Sequence, residues 1–115
     1  MIIKIDKIRE LLMDQDDFIL EFSEASIESF SEFSTAFSKY MKANDLENLK
    51  RAGHKIKPVA QMLEADQIVE LYEEGKTLLT ENAPKTEIHQ TVNQVEQLCS
   101  QIVEEFDEII RATQS

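Results

Sequence analysis

The chain has 115 residues, enough for one domain and one core, with no room for a separate catalytic domain. Two Gly, two Pro and no Trp favour helices over sheets, which need frequent turn signals. Against 12 basic residues stand 23 acidic ones, a formal net charge of −11; such a surface repels nucleic acid and anionic membrane and suits basic protein surfaces.

A single cysteine cannot form an internal disulfide, and no Cys/His spacing suits zinc. The apolar start, Ile2, Ile3 and Ile5, is too short for a signal peptide, and no stretch reaches the roughly 20 apolar residues of a membrane span. A cytoplasmic protein is expected, and Met1 is what a free-standing chain would show.

Ile5, Ile8, Leu11 and Leu12 recur at helical spacing and predict a short first helix over about residues 3–13. Asp14 or Asp16 is placed to cap a second helix, with Phe18, Ile19, Phe22 and Ala25 on its apolar face. The small polar side chains of Ser23–Ser26 predict a break or bend. A third helix, about 27–43, follows from Ile27, Phe30, Phe33, Phe37, Tyr40 and Met41. That aromatic stripe reads as core packing rather than a cofactor box.

Asp45 is the expected N-cap of a fourth helix, with Leu46, Leu49, Gly53, Ile56, Ala60 and Leu63 inward. Asp66 is expected to cap a fifth, about 66–82, in which Gly75 is unfavourable unless a neighbouring helix needs the space. Pro84 suits the entry to a long last helix, about 85–112. There Ile88, Val92, Val95, Cys99, Ile102, Phe106 and Ile109 alternate steps of four and three, the seam of a helical bundle. Cys99 on that seam reads as a buried structural thiol. The expected fold is all-α: an up-down four-helix bundle, core about 14–112, with a short N-terminal helix or helices packed on it.

The chemically informative stretch is the fourth helix. From Leu49 to Leu63 it holds no acidic residue, while Lys50, Arg51, Lys55 and Lys57 lie within eight positions. The remaining 8 basic residues face all 23 acidic ones, a balance of −15. The positive charge is therefore concentrated beside His54, as if for a negative group arriving there. At about 100° per residue, His54 points roughly 140° from the inward stripe, towards solvent.

A phosphoryl acceptor must be reachable, keep one ring nitrogen with a free lone pair, and have a cation nearby. His54 meets the first demand, and Lys57, at the i+3 spacing, meets the last. Lys50, Arg51, Lys55, Pro58 and Gln61 are candidate flanking contacts; the basic ones also make an ordinary solvated helix face. Pro58 has no N–H for the His54 carbonyl, so the helix must either end at Lys57 and restart or bend at the histidine. His89, on the last helix without a basic cluster in sequence, reads as a plain exposed histidine. No Glu/His pairs at ligand spacing face the core, so neither histidine reads as a metal ligand.

His54-Lys55-Ile56-Lys57-Pro58 resembles the HxxKG or HKxKP signature of histidine phosphotransfer (HPt) domains of multistep phosphorelays. Asp17–Phe22 is similar to that family's first bundle helix, Lys42–Leu46 to the turn before its histidine helix, and Met62-Leu63 to the apolar pair that closes it. The likeness covers about residues 14–110. Departures are Pro58 in place of the commoner glycine, Gly53 in place of alanine, and Glu64 at a position often glycine.

The resemblance implies a phosphocarrier without its own ATP-binding or kinase domain. His54 would take a phosphoryl group from a receiver-domain aspartyl phosphate and pass it to another receiver, with Lys57 stabilising the charge. Partners would be response-regulator receivers and a hybrid sensor kinase, with Mg²⁺ on the receiver and no cofactor of its own. A monomer is expected. The competing reading is a helical adaptor that docks a partner through the basic stripe 50–57 without chemistry.

Overall fold

The computed structural model describes residues 2–114, so Met1 and Ser115, and with Met1 the expectation of a free-standing start, lie outside the described residues. Five helices follow one another: α1 (Ile5–Leu11), α2 (Asp16–Lys42), α3 (Leu46–Met62), α4 (Asp66–Thr80) and α5 (Lys85–Gln114). α2, α3, α4 and α5 form a closed ring of neighbours, each packed on the next and α5 back on α2; α2 and α4 touch only across the diagonal. The body measures 47 × 19 × 18 Å. That length is set by α5, whose 30 residues span about 45 Å at 1.5 Å per residue.

α2 corrects the expectation of two separate helices. It runs unbroken through Ser23 and Ser26, both fully buried. The reason is phase: Ile19, Ser23, Ser26, Phe30, Phe33 and Phe37 recur at steps of four and three, so the serines continue the apolar seam. Phe18 and Ala25, expected inward, instead face out, and Phe18 is 48% exposed. Phe22 is half-buried and meets Phe106 edge-on, ring centroids 6.2 Å apart.

Two capping expectations also fail. α2 starts after Gln15 and α4 after Ala65, and neither residue makes a side-chain cap bond. Asp16 and Asp66 are instead the first helical residues, where a carboxylate complements the helix dipole. Asp14 takes a left-handed φ of 54° and pairs with Arg9 at 2.9 Å. Asp45 does cap α3, accepting the Asn48 N–H at 3.2 Å and its Nδ2 at 2.7 Å.

The helices α1 to α4 each end on a left-handed residue, and none of these is glycine. Asp14, Asp45, Ala65 and Ala83 donate backbone N–H bonds back to Arg9, Tyr40, Ala60 and Leu78, after left-handed Met13, Asn44, Glu64 and Asn82. Asparagine tolerates this conformation well; Met13 and Glu64 bear its steric cost. The two glycines lie inside helices instead. A Cβ at Gly75 would come within 2.8 Å of the Phe37 ring, so the neighbouring helix does need that space.

The α3–α4 hairpin is shorter than α2 and α5, and α1 covers the end of the long pair that it leaves open. Ile3 and Ile8 are buried there. The buried Glu105 carboxylate accepts the N–H groups of Ile2 and Ile3 at 3.1 and 2.8 Å and Gln101 Nε2 at 3.2 Å. Lys4 Nζ (3.0 Å) and Lys7 Nζ both donate to Glu64 in the α3–α4 turn. Among the described residues no helix is long and apolar enough to cross a membrane.

Candidate functional site

α3 divides its residues cleanly by face. Leu49, Ala52, Gly53, Ile56 and Ala60 are buried, whereas Lys50, Arg51, His54, Lys55, Pro58 and Gln61 are exposed. The imidazole of His54 therefore stands on the outer surface midway along the helix, as its phase required. The helix continues through Pro58 without a break, so the alternative of an end at Lys57 is excluded. The proline removes the donor that would occupy the His54 carbonyl, on the solvent side where water can serve.

The backbone at this point is fixed from beneath by Tyr72 of α4. A Cβ built on Gly53 would lie 1.9 Å from Tyr72 Cζ, so the ring occupies the space any other side chain would take. Tyr72 is buried, and its hydroxyl donates to the Lys50 carbonyl at 3.4 Å. Gly53 at this position is thus a packing requirement: α3 and the aromatic ring meet one residue before the histidine.

The basic island is less uniform than the sequence implies. Lys57, 34% exposed, places its Nζ 2.8 Å from Glu73 Oε1 and 5.5 Å from the centroid of the Tyr72 ring. Lys76 Nζ lies 2.9 Å from Glu73 Oε2 and 4.8 Å from the same ring. Each carboxylate oxygen of Glu73 thus has its own ammonium, and both ammoniums lie over the same aromatic ring. The Lys57 and Lys76 hydrogen bonds hold the Glu73 carboxyl below its usual range, and Glu73 raises Lys76 in turn. Arg51 pairs with Glu47 at 3.4 Å. Lys50 and Lys55 have no carboxylate within ion-pair distance among the described residues, and Gln61 makes no hydrogen bond there.

Tyr72, Glu73 and Lys76 were invisible as site residues in the sequence. Tyr72 lies among the buried residues of α4, with Ile68 and Leu79. Glu73 lies ten positions beyond the acid-free stretch that ends at Leu63, and only the α3–α4 packing returns it to Lys57.

Beside the histidine, a groove of about 520 Å³ runs between α2 and α3. Phe33, Ala36, Ala52 and Ile56 form its apolar part, and Glu32, Arg51 and Lys55 its charged rim. His89 lies at the far end of the bundle, in a hollow with Lys42 and Lys85. Lys42 arrives from the end of α2, so His89 is less isolated from positive charge than its own helix suggests. Cys99 is buried, and burial pushes its thiol up to about 12, which leaves it protonated and unreactive at neutral pH. Among the described residues no cluster of His, Cys, Asp and Glu is arranged to hold a metal ion.

An exposed histidine thus stands halfway along a basic helix face in a ring of four helices, as the helical phase and charge distribution required. The protein-family model of the Hpt domain matches residues 5–111 of the 115. The chain belongs to the Hpt domain family. Hpt domains are phosphocarriers rather than kinases; they carry out histidine phosphotransfer in two-component phosphorelays, with response-regulator receivers as partners. No curated protein and no solved structure matches this Hpt domain.

Proposed function

We propose that this Hpt domain, acting as one domain over residues 1–115, accepts a phosphoryl group on His54 from the aspartyl phosphate of one receiver and delivers it to a second. The observation that carries this reading is the position of His54: an exposed imidazole on a buried, tightly packed backbone, flanked by Lys50, Lys55 and Lys57. A lone pair of one ring nitrogen attacks phosphorus, the P–O bond to the receiver aspartate breaks, and the carboxylate leaves with the bonding electrons. The other ring nitrogen releases its proton as the imidazole gives up its lone pair. Delivery reverses these bond changes on the second receiver.

Positive charge on the helix face offsets the charge of the group in transit. Lys57 stands one turn C-terminal to the histidine, at i+3, and Arg51, Lys55, Pro58 and Gln61 flank the approach. The receiver supplies Mg²⁺, and this chain needs no cofactor and uses no ATP. A hybrid sensor kinase stands upstream, and the carrier is a cytoplasmic monomer.

Incubation with a phosphorylated receiver tests the reading. We expect an acid-labile, base-stable phosphate on the chain, absent from His54→Gln, whose helical circular dichroism is unchanged. A label that survives in His54→Gln rules out His54 as the acceptor. Tight receiver binding without any label instead identifies an adaptor working through the 50–57 stripe.

A further inference from the structure

Lys57 stands one turn from His54 on the same helix, yet its ammonium is already held by the carboxylate of Glu73. Both side chains are partly exposed, and an ion pair of that kind is weak and readily exchanged. Glu73 has a second ammonium, that of Lys76, on its other oxygen. Losing Lys57 would therefore leave Glu73 paired. Side chains on a helix lean towards its N-terminus, so the Lys57 stem already points back towards the turn that carries His54. Buried Tyr72, fixed against Gly53, provides both ammoniums with a common resting surface.

Resting on the assignment of His54 as phosphoryl acceptor, we propose that Glu73 is a positioning residue that holds Lys57 in reserve and competes with the phosphoryl group for it. On phosphorylation, the phosphoryl oxygens draw Lys57 from Glu73, and Lys76 retains the carboxylate. A phosphoryl group bearing nearly two charges wins this contest against a single carboxylate, but the contest reduces its hold on the carrier. Glu73 thereby keeps the phosphohistidine shallow enough to pass its load onward. The carboxylate comes from a different helix and lies outside the His-x-x-Lys spacing.

Chemical phosphorylation by phosphoramidate tests this without any receiver: a ring nitrogen of His54 attacks phosphorus, the P–N bond breaks, and ammonia leaves. The half-life of the phosphohistidine is then followed by phosphorus NMR in wild type, Glu73→Gln, Lys57→Ala and the double variant. Glu73→Gln is expected to lengthen the half-life by about threefold. In the Lys57→Ala background the same change should move it by less than about twofold, because the contested ammonium of Lys57 is gone. Glu73→Asp, which keeps the charge, should restore a value near wild type. Equal lengthening in both backgrounds would show a general field effect and overturn the proposal, as would an unchanged half-life in Glu73→Gln. Labelling that persists in His54→Gln overturns it together with the assignment of His54. Labelling by phosphoramidate but not by receivers defeats the relay reading alone, and the half-life comparison still decides the role of Glu73.

Discussion

Along α2 and α5 the bundle is held by large side chains: Phe30, Phe33, Phe37, Ile102 and Phe106 are buried, with Phe33 and Phe37 centroids 5.7 Å apart. Between α3 and α4 the contact is made by removing side chains. Gly53 receives the Tyr72 ring against bare backbone. The contrast separates two jobs. Bulky seams supply most of the apolar burial and set the length of the molecule. The close approach at Gly53 buries the inner face of α3 firmly, so its outer face can carry exposed charge without having to contribute to the core.

The sharpest way to test this division is to damage each region separately. Phe106→Ala removes a fully buried ring that meets Phe22 edge-on and should lower unfolding stability by about 3–5 kcal/mol in urea titration. Labelling of His54 in the remaining folded protein should be unaffected, because Phe106 packs in the α2–α5 seam while His54 stands on the outer face of α3. Gly53→Ala should blur the boundary: its Cβ meets Tyr72 Cζ at 1.9 Å, so the ring must move and take the resting surface of Lys57 and Lys76 with it. A loss of about 1–3 kcal/mol is expected, with a changed phosphohistidine half-life. A change in stability alone would show that Tyr72 serves only packing. The smallest effect belongs to Ser23, whose buried Oγ has no hydrogen-bond partner among the described residues. Ser23→Ala should stabilise the bundle by up to about 1 kcal/mol in the same titration, since it removes an unsatisfied hydroxyl.

Much of the bundle could be read along the chain because helical periodicity is a local property. The stripe in α3 and the heptad seam in α5 each report which side faces in, and this alone turned His54 outward. The break expected at Ser23–Ser26 failed because a serine's local preference is weaker than the apolar seam it continues. The caps assigned to Asp16 and Asp66 failed for a related reason: an acidic residue near a helix start serves equally well as cap or as first-turn charge.

Glycine does not mark the turns here. Turns suggest glycine, yet the left-handed positions fall on Met13, Asp14, Asn44, Glu64 and Asn82, while Gly53 and Gly75 lie under aromatic rings. Glu64 keeps its left-handed place with its carboxylate bound by Lys4 and Lys7, from an element 57 and 60 residues earlier.

By itself, then, the sequence determined the helical class, the approximate extent of every helix except α2, which it divided in two, and an outward histidine in a basic stretch. These depend on residues three and four apart. Only the tertiary structure decided that Tyr72 lies against Gly53, that Glu73 pairs with Lys57, and that Glu105 anchors Ile2 and Ile3. Those contacts join segments far apart in the chain, and no periodicity within one helix encodes which partner the fold will bring to its surface.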